Sequence, residues 1–180
     1  LIPFLERGFD ISGIDLSAEM LAKLKEKVPN AKVFQKDILE YGSAEKYDYI
    51  FISSGSVSLF TDMDLCKRIL HKMKELLKKD GKFVFAVDTV ANRCPDDSDY
   101  RTAIAKCLND TDYKTSISVQ TKEGYTLVLK IKNYYYEKTR TQYSPSIYEL
   151  YDGTKLLQQE RMDFQTHLYK LGEIEPYLKE

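Results

Sequence analysis

Polar groups recur at one kind of place in the first ninety residues of this chain, where a short apolar run ends. ISGID closes on Asp15, AKVFQ is followed by Lys36 and Asp37, YDYIFI runs into Ser53-Ser54-Gly55, and KFVFAVD closes on Asp88. An ionised carboxylate only accepts hydrogen bonds, through two oxygens, so it suits a group with two adjacent donors. A ribose diol is such a group, and Asp15 is a candidate to hold one. Asp37 can then accept from the exocyclic amine of adenine, with the Ile38 backbone N–H facing a ring nitrogen. Leu16 or Met20 would supply an apolar contact to the purine. Each group also has a structural use: Asp15 as a helix-start acid, Asp37 as a turn residue, Ser53 to Gly55 as a strand-to-loop transition, Asp88 as a cap partner.

These groups need elements to position them. Ile2, Phe4 and Leu5 ahead of Gly8 read as a helix end with a glycine cap. Residues 11–16 read as a strand from β-branched content and shortness. Ser17 is an N-cap residue, and Met20, Leu21, Leu24 and Val28 fall on one face of a helix that Pro29-Asn30 ends. AKVFQ (31–35) and YDYIFIS (47–53) read as strands, the second apolar enough to be buried on both faces. Asp62 to Lys79 is the clearest helix, with Leu65, Ile69, Met73 and Leu76 at helical spacing and a lysine-rich solvated face. Asp80-Gly81 is expected to break it before the strand 82–88. Short apolar strands alternating with helices predict a parallel sheet, whose ligands bind beyond the carboxyl ends of the strands.

The second half changes character. Residues 89–112 are polar, with a short helix expected near Tyr100 to Leu108. From Thr115 the pattern alternates with period two. SISVQT and YTLVLKIKNYYY are joined at 122–124, and SIYELY and KLLQQERMDFQTHLY at Asp152-Gly153-Thr154, predicting an antiparallel meander. A final helix is expected from about Gly172.

The 27 basic and 28 acidic residues leave a formal net charge of −1, which gives no electrostatic footprint for nucleic acid or an anionic membrane. No apolar run reaches the length of a membrane span. Cys66, Cys94 and Cys107 are odd in number, far apart and without a CxxC pair. They imply a reducing, cytoplasmic setting with no disulfide framework and no metal site.

Taken together, ISGIDLSAEML, VFQKDIL, YDYIFISSGSVSLF and LLKKDGKFVFAVDT resemble the class I S-adenosylmethionine-dependent methyltransferases, in particular the small-molecule type with an antiparallel lid. The resemblance implies a Rossmann-like α/β fold, a mostly parallel sheet with helices on both faces, plus a β-meander lid. It implies a cofactor-binding core over 1–88, an insertion and lid over 89–171, and the start of a core helix at 172–180. It further implies that Asp15 holds the ribose of S-adenosylmethionine, and that Leu16, Ser17 and Met20 form the adenosine-side segment. Asp37 and Ile38 would be the adenine pair, and Ser53, Ser54 and Gly55 would lie beside the methionine part. The family's glycine-rich loop is expected before Leu1 and its last strands after Glu180.

Methyl transfer is an in-line displacement in which the protein mainly positions the acceptor, so no triad or metal motif is required. Asp88 and His167 are the candidates for a base on the acceptor side, and one of Tyr134, Tyr135 and Tyr136 for lining a pocket. The partner implied is a small-molecule methyl acceptor, with a homodimer through the β-meander as a further expectation. A non-catalytic binding protein on the same fold, a nicotinamide-dependent oxidoreductase and a nucleic-acid methyltransferase are the competing readings. The last lacks an Asn/Asp-Pro-Pro-aromatic motif.

Overall fold

A computed structural model of the chain describes residues 1–90 and 109–179. The expected helix near Tyr100 to Leu108, with Cys94 and Cys107, lies outside the described residues. The chain divides into two compact units, one formed by residues 1–50 with 67–83 and the other by 51–66 with 84–180.

The first unit opens with helix α1 (Ile2–Leu5), whose end is closed by the amides of Gly8 and Phe9 bonding back to the Leu5 and Phe4 carbonyls. Strand β1 (Ser12–Asp15), helix α2 (Ala18–Lys27) and strand β2 (Lys32–Gln35) then make a parallel βαβ unit. The two strands are in step from Ser12 opposite Lys32 to Asp15 opposite Gln35. Ser17 caps α2 as expected, its Oγ accepting the Met20 N–H at 3.2 Å. Leu21, Leu24 and Val28 are half-buried, whereas Met20 stands 63% exposed and has left their stripe.

Strand β3 (Tyr47–Ile52) pairs with strand β4 (Leu77–Phe85) in a second ladder. Two expectations are corrected here. β3 is not buried on both faces: Tyr49 is 54% exposed and Asp48 is exposed, because among the described residues it has a ladder partner on one side only. Helix α3 (Met63–Leu76) ends three residues earlier than expected, and β4 runs straight through Asp80-Gly81. Lys78, expected on the last helical turn, serves the ladder instead, its Nζ reaching both carboxylate oxygens of Asp48 at 2.9 and 2.8 Å. Asp62 starts α3 by accepting the Asp64 and Leu65 amides. Within this unit Ile69, Leu70, Met73 and Leu76 are buried on one helical stripe, with Ala31 and Tyr41.

The second unit holds the meander. Strands β5 (Lys114–Gln120) and β6 (Thr126–Ile131) form one hairpin. Strands β7 (Tyr134–Tyr136) and β8 (Thr141–Tyr143) form another, and β9 (Ser146–Asp152) turns at Gly153 into β10 (Lys155–Met162). β6 pairs with β9, giving a four-stranded antiparallel sheet in the order β10-β9-β6-β5. A three-stranded sheet, β11-β8-β7, is completed by β11 (Gln165–His167). Tyr134, Tyr135 and Tyr136 alternate faces, and Tyr135 packs on the buried Val90 and Leu168. The helix expected from Gly172 is a single 310 turn at Glu175–Leu178.

Candidate functional site

In the first unit the level ends of β1 and β2 bring two predicted acids to one sheet edge. Asp15 lies at the end of β1 and is exposed. Its Oδ1 accepts the Ser17 N–H at 2.8 Å, and its carbonyl accepts the Lys36 N–H at 3.2 Å. The first bond fixes the carboxylate at the mouth of α2 and leaves Oδ2 open. Asp37 repeats the arrangement two residues beyond β2. Its Oδ1 accepts the Leu39 N–H at 2.8 Å, and its carbonyl accepts the Glu40 N–H. Both acids therefore sit in Asx-type turns.

A cleft of about 360 Å³ opens at this edge, lined by Leu16, Gln35, Lys36, Asp37 and Glu40. Leu16 and Asp37 were expected there, whereas Gln35, Lys36 and Glu40 were not. Gln35 follows from register: two parallel strands of equal length put the last residue of one beside the last of the other. Its Nε2 donates to the Leu16 carbonyl at 3.3 Å, tying the Leu16 backbone to β2. The Leu16 side chain is 68% exposed, an apolar surface beside open carboxylate oxygens. Asp15, Ser17, Met20 and Ile38 flank the cleft in sequence without lining it. Ile38 closes the turn through its carbonyl, which accepts the Tyr41 N–H.

In the second unit, Ser53, Ser54 and Gly55 follow β3 and lead into a 310 turn at Ser56–Leu59. Ser54 has φ 59° and Gly55 φ 69°, and a serine in the left-handed region is held there by its surroundings. A Cβ on Gly55 would stand 3.6 Å from Asp88 Oδ2, an ordinary contact, so the loop lies directly beside Asp88. Asp88 is itself fixed through its backbone. Its N–H donates to the Oγ of the buried Ser58 at 2.7 Å, and its carbonyl accepts the Tyr169 N–H at 2.9 Å. Ser58 gave no signal in the sequence.

His167 lies 2% exposed on β11. Its Nδ1 donates to the Thr139 carbonyl at 3.1 Å, which makes Nδ1 the protonated nitrogen. Nε2 stands 3.5 Å from Glu173 Oε1 without hydrogen-bond alignment. Glu173 is also the partner of Arg140 and of the Lys170 N–H. The ring packs edge-on against Tyr169 with centroids 4.6 Å apart, and Tyr169 Oη meets Cys66 Sγ at 3.4 Å. Burial pushes the imidazole below its ordinary pKa, against the opposing pull of Glu173, and pushes the Tyr169 phenol and the Cys66 thiol up. Among the described residues no cluster of His, Cys, Asp and Glu could hold a metal. No described helix is long and apolar enough to cross a membrane.

Comparison with known proteins bears on the fold. Residues 1–81 match the family model described as a methyltransferase domain. A putative methyltransferase of Geobacillus sp. (strain WCH70) is 29% identical over 86 residues, which is 46% of this chain and 35% of that protein. Among solved structures, an S-adenosylmethionine-dependent methyltransferase from Clostridium acetobutylicum superposes with a TM-score of 0.72. It is 18% identical, over 96% of this chain and 64% of that one. A sugar N-methyltransferase from Streptoalloteichus sp. gives 0.71 at 18% identity, over 94% and 61%. An amino pentose methyltransferase from Micromonospora echinaspora gives 0.68 at 11%, over 98% and 67%. The fold is therefore the Rossmann-like α/β fold with antiparallel additions that S-adenosylmethionine-dependent methyltransferases share, and the methyltransferase-domain pattern covers the first 81 residues. The chain spans about a third of the curated relative's length, 35%, and 64% of the first solved structure's.

Proposed function

We propose that this chain transfers a methyl group from S-adenosylmethionine to a small-molecule acceptor. The observation that carries the reading is the cleft at the level ends of β1 and β2, with Asp37 and Leu16 in its wall and Asp15 at its margin, inside the segment that matches the methyltransferase domain. Its donor set fits the adenosine end of the cofactor. Asp15 keeps Oδ2 and spare lone pairs for the two ribose hydroxyls, Asp37 keeps Oδ2 for the purine amine, and Leu16 offers the apolar contact. Ser17 and Met20 extend that segment, and Ile38 adds a backbone N–H. Ser53, Ser54 and Gly55 keep the role beside the methionine part that the resemblance implies.

When bound, the cofactor supplies the activated methyl and its own leaving group; the chain's residues hold, orient and exclude water. An amine acceptor that is protonated as an ammonium must lose that proton before its lone pair can attack. The names of two similar structures, a sugar N-methyltransferase and an amino pentose methyltransferase, support an amino sugar as acceptor class. Of the two candidate bases, His167 has Nδ1 committed to Thr139 and its ring buried. Asp88 is the better proposal, being half-buried beside the strained Ser54-Gly55 turn.

Calorimetric titration of S-adenosylmethionine and S-adenosylhomocysteine tests the reading. Both should bind, and Asp15→Asn, which keeps an acceptor for the Ser17 amide but removes the charge, should weaken both by roughly 10- to 100-fold. Absence of heat and of a thermal shift with either ligand would overturn the cofactor assignment and favour the non-catalytic reading.

A further inference from the structure

Among the described residues β5 is the outer strand of the four-stranded sheet, and every one of its 7 residues is exposed. An open strand edge presents a row of backbone donors and acceptors, and proteins usually guard it with charges, proline or a bulge. The opposite edge is guarded. β10 carries Lys155, Glu160 and Arg161, and its register breaks between Leu156 and Gln158. β5 is guarded only at its start, where Lys114 stands. From Thr115 to Thr121 there is no charge and no proline, and its register break, between Thr115 and Ile117, leaves Ile117 to Gln120 regular. Two apolar rows run off this edge. Tyr148, Leu129 and Ile117 are directly opposite one another across β9, β6 and β5, as are Leu150, Leu127 and Val119. They end on Ile117, 51% exposed, and Val119, 47% exposed.

We propose that β5 is the seam of a homodimer, in which two copies pair this strand antiparallel about a two-fold axis at Ser118 and so join two sheets into one. Backbone pairing alone would accept any strand. The second copy is singled out by the sequence about Ser118, which reads Ser116-Ile117-Ser118-Val119-Gln120. The two-fold axis sets Ile117 opposite the partner's Val119, and Val119 opposite the partner's Ile117. Each apolar row then continues into the other copy's row on the same face, and from Ser116 to Gln120 no charges meet. A slip by one residue would run the rows onto the partner's polar face. This interface stands independently of the methyl-transfer reading.

The test uses the full chain in sedimentation velocity from low to high micromolar concentration, together with oxidative cross-linking. A concentration-dependent dimer is expected, weakened roughly tenfold or more by Val119→Lys and by Ile117→Lys and unchanged by Leu156→Lys on β10. Because residue 118 meets its own copy at the axis, Ser118→Cys should give a covalent dimer that the parent chain and Ser116→Cys do not. Cα atoms directly opposite in an antiparallel pair are about 4.5–5.5 Å apart, within disulfide reach. A chain that is monomeric throughout, a dimer indifferent to Val119→Lys, or cross-linking at 116 in place of 118 would each overturn the proposal.

Discussion

Gly81→Ala separates two accounts of the segment after α3. If Gly81 only ended a helix, alanine would be harmless. Its backbone is not among the positive-φ glycines, so alanine meets no conformational penalty and restricts the unfolded chain, a gain of about 0.4–1 kcal/mol. In the structure Gly81 lies inside β4, packed against β3. A Cβ there would stand 2.8 Å from the Tyr47 carbonyl oxygen, 3.0 Å from Leu77 Cδ2 and 3.1 Å from the Lys78 carbonyl oxygen. Carbon–oxygen contacts between adjacent strands settle at about 3.3–3.6 Å, so a backbone carbonyl must retreat by roughly half an ångström, and a backbone atom does not rotate away as a side-chain tip would. Overpacking of this kind costs about 1–3 kcal/mol. Set against the gain from the unfolded chain, the net loss is about 0–2.6 kcal/mol, or up to roughly 10 °C in Tm for a chain of this size. Urea denaturation of parent and variant, read as a lower midpoint at unchanged slope, measures it. An alanine variant more stable than the parent would refute the packing of β4 on β3 at this position.

Burial depresses the pKa of His167 below its ordinary 6.5, with Glu173, Arg140, the Thr139 carbonyl and Tyr169 facing the ring. The folded chain thus takes up this proton less readily than the unfolded one. Its contribution is present above the unfolded pKa and is lost as pH falls toward the folded value. His167→Phe should flatten the loss of urea stability between pH 7.5 and 5.5, since His71 is exposed; equal slopes for parent and variant would count against a buried neutral His167. Met73 is 2% exposed on the buried stripe of α3, so Met73→Ala should cost about 2–5 kcal/mol by the same denaturation assay, and a loss under about 1 kcal/mol would place that stripe at the surface.

The fold was most legible where one signal sufficed. Ser17 capped α2 because a serine before an apolar-periodic run has few other uses, and the period of two from Thr115 could not have been a helix. The turns at Gly124 and Gly153 followed from the same alternation. The end of α3 was illegible for a physical reason. Leu76, Leu77, Lys78 and Lys79 satisfy a helix, and also satisfy an exposed strand whose lysine can reach Asp48 across the ladder. Helical periodicity counts neighbours within one segment, whereas the ladder depends on Asp48, thirty residues away. Exposure of Tyr49 was hidden likewise, because an apolar run shows what a strand could bury and not which strands will flank it.

The candidate site divides along the same line. Asp15 and Asp37 could be found because each ends an apolar run, yet that signal also describes a plain turn acid, and the structure shows each of them making a turn. The two roles are compatible. A carboxylate has more lone pairs than one amide can use, and the amide bond that forms the turn also removes the side chain's rotational freedom. A ligand that takes the open oxygen then pays less ordering entropy. The turn is in this sense the device that preorganises the acid. Such a group is hard to tell from a structural acid in sequence, because the sequence records the turn and the ligand uses what the turn leaves over. Gln35, Lys36 and Glu40 were missed for the converse reason. They join the cleft only once β1 and β2 lie level, a fact of strand register that neither strand carries alone.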